Sequence, residues 1–230
     1  MLTKWVFFFS LLLLAIGLIK PLQAEQQIKA IVFDFGSVIA RTDKQAVVKF
    51  ISHSLHISQE EAVDAIQQLK RYTLQEKEEQ DFWIDYANAK SMILPDQWVE
   101  KLNEARFYAL IETPGMVNLV KDLQKQGYPT ALLSNVRESQ AAVKRRLGYY
   151  HLFDPVLLSY EIGFKKPHPE AYQILLKRLN LPPQNVLFID NQPRNVEAAK
   201  LLGLDGIVFV SREQLIEELK IRGIEVSSCL

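Results

Sequence analysis

Four short strings carry side chains that could do chemistry: Phe33-Asp34-Phe35-Gly36-Ser37-Val38, Leu133-Ser134-Asn135, Lys165-Lys166-Pro167 and Ile189-Asp190-Asn191. Asp34, Ser134, Lys166 and Asp190 among them offer two carboxylates, a hydroxyl and an ammonium group. Brought together, these groups suit a cation beside a tetrahedral anion. The first string follows the apolar run Ile31-Val32-Phe33, which reads as a short buried strand. A carboxylate where such a strand ends, followed at once by a glycine turn, belongs in a mouth rather than in a core. Three of the four strings end strand-like segments, and in an open parallel sheet the ligand crevice lies at the carboxyl ends of the strands. The order along the chain therefore points to one site assembled from distant segments.

The elements that must position these residues show two regimes. From Thr42 to Leu110 the periodicity is helical, with no convincing strand. Ser58-Gln59-Glu60-Glu61 forms a capping box, followed by Ala62, Ile66 and Leu69 at helical spacing. Further helical pieces start near Asp43, Asp81 and Pro95-Asp96, and their aromatic residues Phe82, Trp83, Tyr86 and Trp98 read as an internal core. From Thr113 strand and helix alternate. Helices are predicted over 114–126, 138–147, 169–179, 193–202 and 213–221, several stopped by Gly127, Gly148 or Gly203. Strands are predicted over 130–133, 156–158, 186–189 and 207–210. This alternation implies an α/β fold: a Rossmann-like parallel sheet with helices on both faces, and a small α-helical cap inserted after the first strand. The core would comprise residues 25–41 and 111–230, and the cap residues 42–110.

The chain has 230 residues, with 27 basic and 27 acidic side chains. Nothing in that balance suggests a nucleic-acid surface. Lys4, an apolar stretch from Trp5 to Ile19, and Lys20-Pro21-Leu22-Gln23-Ala24 match a secretory signal cut after Ala24. The apolar stretch is short for a membrane span, which needs roughly 20 residues. The expectation is a secreted or periplasmic protein; the alternative is a membrane anchor through an uncleaved N-terminal segment. Cys229 is the only cysteine, so no internal disulfide framework exists and stability must come from an apolar core.

Taken with Lys166-Pro167-His168-Pro169-Glu170-Ala171-Tyr172 and with Asn195 and Ala198 after Asp190, the four strings resemble the haloacid dehalogenase-like hydrolases, a phosphatase-rich superfamily. The resemblance covers nearly all of the chain after residue 24. The form with glycine two places after the first Asp is similar to the sugar-phosphate phosphatase branch near the N-terminal domain of soluble epoxide hydrolases. True dehalogenases of the superfamily usually carry Tyr at the position of Gly36, which argues against dehalogenation. The resemblance implies Asp34 as a nucleophile that forms an aspartyl-phosphate. It implies Mg²⁺ held by Asp34, Asp190 and the backbone carbonyl of Gly36, with oxygen ligands as that ion prefers. Lys166 would supply positive charge beside the nucleophile, and Ser134 and Asn135 would contact the phosphoryl group. Arg41 and Arg137, each just past a motif, are further candidates for substrate contact, and Arg194 is a weaker one.

Two departures bear on activity. The family usually has a second Asp two residues after the nucleophile, which protonates the leaving oxygen and later activates water. Gly36 stands there and transfers no proton, and such help is typically worth about 10²–10⁴-fold in rate. Asn191 stands where Asp is common, which removes one negative charge near the metal. Asp43, His53 and His56 in the insertion are candidate replacements for the missing acid, although the histidines read as surface groups, and His168 reads as a helix-entry residue. The expected function is a Mg²⁺-dependent phosphatase of a small phosphorylated metabolite. The alternative is a phosphate- or metabolite-binding protein of the same fold without useful turnover.

Overall fold

Ala30 to Phe33 are all buried, as the apolar run requires, and form strand β1 (Ala30–Phe33). The computed structural model describes residues 27–73 and 78–226; the expected signal segment and Cys229 lie outside the described residues. After β1 come β2 (Ala40–Thr42) and four helices, α1 (Lys44–Leu55), α2 (Gln59–Thr73), α3 (Glu79–Ala89) and α4 (Trp98–Tyr108). The chain returns through β3 (Leu110–Glu112) to α5 (Met116–Lys125), β4 (Thr130–Ser134), α6 (Glu138–Arg146), β5 (Val156–Leu158) and the short α7 (Ser159–Ile162). It ends with α8 (Pro169–Leu179), β6 (Val186–Asp190), α9 (Pro193–Leu201), β7 (Asp205–Val208) and α10 (Arg212–Ile221).

Five strands form one parallel sheet in the order β5-β4-β1-β6-β7. Because side chains alternate across a strand, the sheet buries two apolar faces. Ile31, Phe33, Leu132, Leu187 and Ile189 face Met116, Leu119 and Leu123 of α5 and Leu215 and Leu219 of α10. Val32, Ala131, Leu133 and Phe188 face Ala171, Tyr172 and Leu175 of α8 and Ala199 of α9. The register aligns Phe33 with both Leu132 and Ile189. The three central strands thus end together, and the polar residue that follows each apolar run reaches the same edge.

The cap has its own core. Trp83, Trp98 and Leu102 are buried against Val47, Ile51 and Leu55 of α1, with the Trp83 and Trp98 ring centroids 5.2 Å apart. The capping box forms as the spacing predicts: Ser58 Oγ accepts the Glu61 N–H at 3.1 Å, and Glu61 Oε2 accepts the Ser58 N–H at 3.0 Å. Asp43 is the N-cap of α1, its Oδ1 accepting from the amides of Gln45 and Ala46. Asp43 is thus employed as a cap, His53 and His56 are exposed, and none of the three borders the cavity beside Asp34.

Three strands differ from the sequence expectation, and the short α7 was not expected either. β2 and β3 pair antiparallel, Thr42 against Leu110, as a ribbon at the two crossings between sheet and cap. Each strand is three residues long and mostly solvent-facing, so neither leaves an apolar run to read. β7 begins at Asp205 rather than Ile207. Asp205 and Gly206 look like turn residues, but Asp205 is held by Arg222 at 2.6 Å. A Cβ on Gly206 would lie 2.7 Å from Cγ1 of Val196, so glycine is what lets α9 approach the strand.

Candidate active site

Asp34 leaves β1 with its N–H donated to the Ile189 carbonyl at 2.8 Å, which fixes its backbone against β6. Asp190 ends β6, level with it, and Ser134 ends β4 on the other side. Lys166 reaches this edge from the loop before α8. Its Nζ donates to Asp34 Oδ1, Asp190 Oδ2 and the Leu133 carbonyl, each at 2.7 Å. A lysine ammonium has three donors, and all three are taken. Lys166 therefore acts on a bound anion as a charge rather than as a free hydrogen-bond donor.

The loop carrying Lys166 is positioned by Asn135. Asn135 Oδ1 accepts the Lys166 N–H and Asn135 Nδ2 donates to the Lys166 carbonyl, both at 2.8 Å. The side chain expected to contact substrate is thus occupied in placing the lysine. Asp190 Oδ1 accepts the Gln192 N–H at 2.8 Å, and its Oδ2 also accepts from Asn195 Nδ2 at 2.9 Å.

Among the most deeply buried groups of this edge, with Lys144 farther out on the same cavity, charge does not balance. Asp34, Asp190 and Lys166 are all at most 8% exposed, which places two carboxylates against one ammonium. Burial pushes the Asp34 carboxyl above its ordinary range; Lys166 opposes that and Asp190 adds to it. A buried net negative charge is costly unless a cation joins it. Asp34, Gly36, Ser37, Ser134, Asn135, Lys166 and Asn195 border a cavity of about 210 Å³ at this point. The buried Oδ1 of Asn195 has no hydrogen-bond partner. Hard oxygen donors, surplus negative charge and an orphaned amide oxygen fit a hydrated Mg²⁺.

The structure gathers Asp34, Gly36, Ser134, Asn135, Lys166 and Asp190, but not the two arginines. Arg41 lies exposed on β2, outside the lining of the cavity. Arg137, at the start of α6, donates to Glu79 of the cap at 3.2 Å instead. Glu79 is buried and also takes Arg106 through both oxygens, at 2.7 and 3.0 Å. Burial pushes the Glu79 carboxyl up, but the Arg106 hydrogen bonds and charge, with Trp83 and Arg137, outweigh it and hold it below its ordinary value. A carboxylate in the cap binds a core arginine here, which ties cap to core. Glu79→Gln is expected to lower stability by about 3 kcal/mol in urea unfolding, because it leaves a half-buried guanidinium pair without its counter-ion. A loss under about 1 kcal/mol would contradict that role. Arg194 and His168 are exposed and outside the cavity lining.

Sequence reasoning missed Lys144. It lies on α6 three residues after buried Ala141, and it borders the same cavity as Asp34. Its Nζ sits 4.6 Å from the ring centroid of Phe35. Burial pushes its ammonium down to about 8, against the opposing pull of Asp34. Lys144-Arg145-Arg146 reads as a solvated basic run; the only cue was helical spacing from Ala141, which turns one of the three inward.

A model of the haloacid dehalogenase-like hydrolases matches residues 28–203. The chain is 30% identical over 102 residues to a phosphorylated carbohydrates phosphatase of Thermotoga maritima, covering 44% of this chain and 47% of that protein, so it spans about half the length of that relative. It is 25% identical over 199 residues to a glyceraldehyde 3-phosphate phosphatase of Pyrococcus furiosus, covering 80% of this chain and 81% of that one. The fold matches a haloacid dehalogenase family enzyme from Bacteroides thetaiotaomicron solved with magnesium and inorganic phosphate, at TM-score 0.63 and 18% identity, over 80% of this chain and 96% of that one. A match that runs from β1 through α9, and so takes in every strand end that builds the cavity, shows that the chain belongs to the haloacid dehalogenase-like hydrolases.

Proposed function

We propose that the protein is a Mg²⁺-dependent phosphatase that hydrolyses a monoester of a small phosphorylated metabolite through an aspartyl-phosphate on Asp34. The observation that carries this reading is the Lys166 ammonium bridging Asp34 and Asp190 at 2.7 Å to each. It holds one oxygen of Asp34 and leaves Oδ2 toward the Gly36 side of the cavity. That oxygen attacks phosphorus, an Asp34 oxygen–phosphorus bond forms, and the ester oxygen departs with the bonding pair and takes a proton from solvent. Water then attacks the same phosphorus, gives up a proton to solvent, and the Asp34 oxygen–phosphorus bond breaks, releasing phosphate and restoring the carboxylate. Ser134, buried at the end of β4, offers its hydroxyl to a phosphoryl oxygen, and Lys166 offsets the anion's charge. Asp34, Asp190 and the Gly36 carbonyl would hold Mg²⁺, which when bound neutralises phosphate charge. The Thermotoga and Pyrococcus relatives, named as phosphatases of phosphorylated carbohydrates and of glyceraldehyde 3-phosphate, support the substrate class.

The test is a panel of phosphate esters with the protein lacking residues 1–24. Phosphate release is expected with Mg²⁺, falling at least about 10²-fold with excess chelator. Release that is insensitive to chelator would contradict the metal's part. Gly36 favours a second reading, a phosphate-binding protein without useful turnover; thermal stabilisation by esters with no phosphate released would establish it. The sequence of residues 1–24 supports a secreted or periplasmic location, tested by N-terminal sequencing of the exported protein; a start at Met1 would overturn cleavage.

A further inference from the structure

We propose that Lys144 is the residue that meets the leaving-group oxygen, and that a chamber behind it restricts the leaving group to a short, polar one. This rests on the phosphatase reading above. Lys144 borders two cavities. One is the cavity of about 210 Å³ that contains Asp34 and Gly36. The other, of about 100 Å³, lies between cap and core, lined by Thr42 of β2, Asn103 and Arg106 of α4, and Gln140 of α6. No other described residue lines both. A monoester bound with phosphorus at Asp34 and its alcohol toward the cap passes through that junction, and the bond that breaks lies there.

The ammonium is uncommitted. Arg145 pairs with Glu161, and Arg146 lies over the Phe107 ring, but Lys144 makes no ion pair among the described residues. Its Nζ is held over Phe35, the residue between the nucleophile and the glycine that replaces the usual acid. A cation at that place stabilises negative charge as it develops on the departing oxygen, which is what the chain lacks at Gly36.

The chamber's chemistry and size define the substrate class. Arg106 and Arg137 share the single carboxylate of Glu79, so one positive charge remains beside Lys144. Asn103 and Gln140 add amides. Leu110 and Val143 complete the lining, so it suits a short polyol or hydroxyacid, whose carbons meet these apolar side chains and whose oxygens meet the amides and the cations. An apolar cavity of about 150 Å³ holds a benzene molecule, so one of about 100 Å³ holds fewer heavy atoms than a six-membered ring. Three- or four-carbon polar alcohols fit within this chamber, whereas a hexose would project out through its open side and meet fewer of these groups.

The experiment measures kcat and KM of the wild type, Lys144→Met and Lys144→Arg with Mg²⁺ on p-nitrophenyl phosphate, glycerol phosphate, glyceraldehyde 3-phosphate, 3-phosphoglycerate and glucose 6-phosphate. A nitrophenolate leaves readily and needs little help; an alkoxide needs much. Lys144→Met is expected to lower kcat on the three-carbon esters by about 10²-fold and on p-nitrophenyl phosphate by less than about 5-fold. Lys144→Arg should recover part of that loss. The wild type should hydrolyse the three-carbon esters at least about 10-fold faster than glucose 6-phosphate. Equal losses on both kinds of leaving group, or none, would overturn the role of Lys144. Glucose 6-phosphate turned over as fast as glyceraldehyde 3-phosphate would overturn the size limit. Both results leave the phosphatase reading intact; a wild type that releases phosphate from none of the five overturns that reading and this one together.

Discussion

Asp34→Asn is expected to reduce phosphate release by about 10⁴-fold or more on every ester. The amide keeps the shape of the side chain but has no anionic oxygen to form a bond to phosphorus. The substitution also removes one of the two carboxylates against which Lys166 is packed at 2.7 Å. With Asp190 retained, the edge becomes one carboxylate against one ammonium, so the variant should fold. Its circular dichroism and unfolding midpoint are expected to stay close to those of the wild type while turnover disappears. Without Mg²⁺, inorganic phosphate should bind it no more weakly, because a negative charge facing the anion has gone. Turnover within about 10-fold of wild type would show that another group attacks phosphorus.

Gly36→Asp is expected to raise turnover on alkyl phosphates by about 10²-fold, the lower end of what general acid–base catalysis supplies. The position can accept the change. A Cβ there would lie 3.5 Å from Asp34 Oδ2, an ordinary contact, and the backbone of Gly36 does not occupy the left-handed region. Gly36 is also exposed toward the cavity. A second carboxyl this close to Asp34 is held in its protonated form by like-charge repulsion, which is the state a leaving-group acid needs. The gain should be larger in a chain that also carries Lys144→Met, because the new acid then takes over the oxygen that the lysine had served. Equal gains in both backgrounds would place the two residues at different steps. No gain in either would mean that leaving-group departure does not limit the rate.

Much of the site was legible because each of its main residues sits beside a pattern that sequence does display. Asp34, Ser134 and Asp190 follow or end apolar runs, and the parallel register of β4, β1 and β6 carries those ends to one edge. Lys166 was legible only with its neighbours Pro167 and Pro169, since Lys165 beside it is exposed and has the same chemistry. What was not legible depends on the cap meeting the core. Arg137 was expected to face substrate, but its partner Glu79 is 58 residues away in sequence and on another layer. Asn135 was expected to contact phosphate; it borders the cavity, and its side chain also clamps the Lys166 backbone, a pairing that spans 31 residues. The ribbon of β2 and β3 has no apolar signature, because three residues on an open ribbon bury little. Lys144 looked like one of three surface charges. Helical spacing from Ala141 allows it to turn inward, but its place over Phe35 is set by how α6 packs on the core, which that spacing does not encode.

The most direct measurement is a chemical trap of the covalent intermediate. The protein is mixed with Mg²⁺ and a hydrolysed ester, quenched during turnover, reduced with borohydride and mapped by mass spectrometry. Reduction converts an aspartyl-phosphate to homoserine. Homoserine at position 34, absent when Mg²⁺ or the ester is withheld, is the predicted result. An unreduced Asp34 in a preparation that is releasing phosphate, or homoserine at another aspartate, would contradict it.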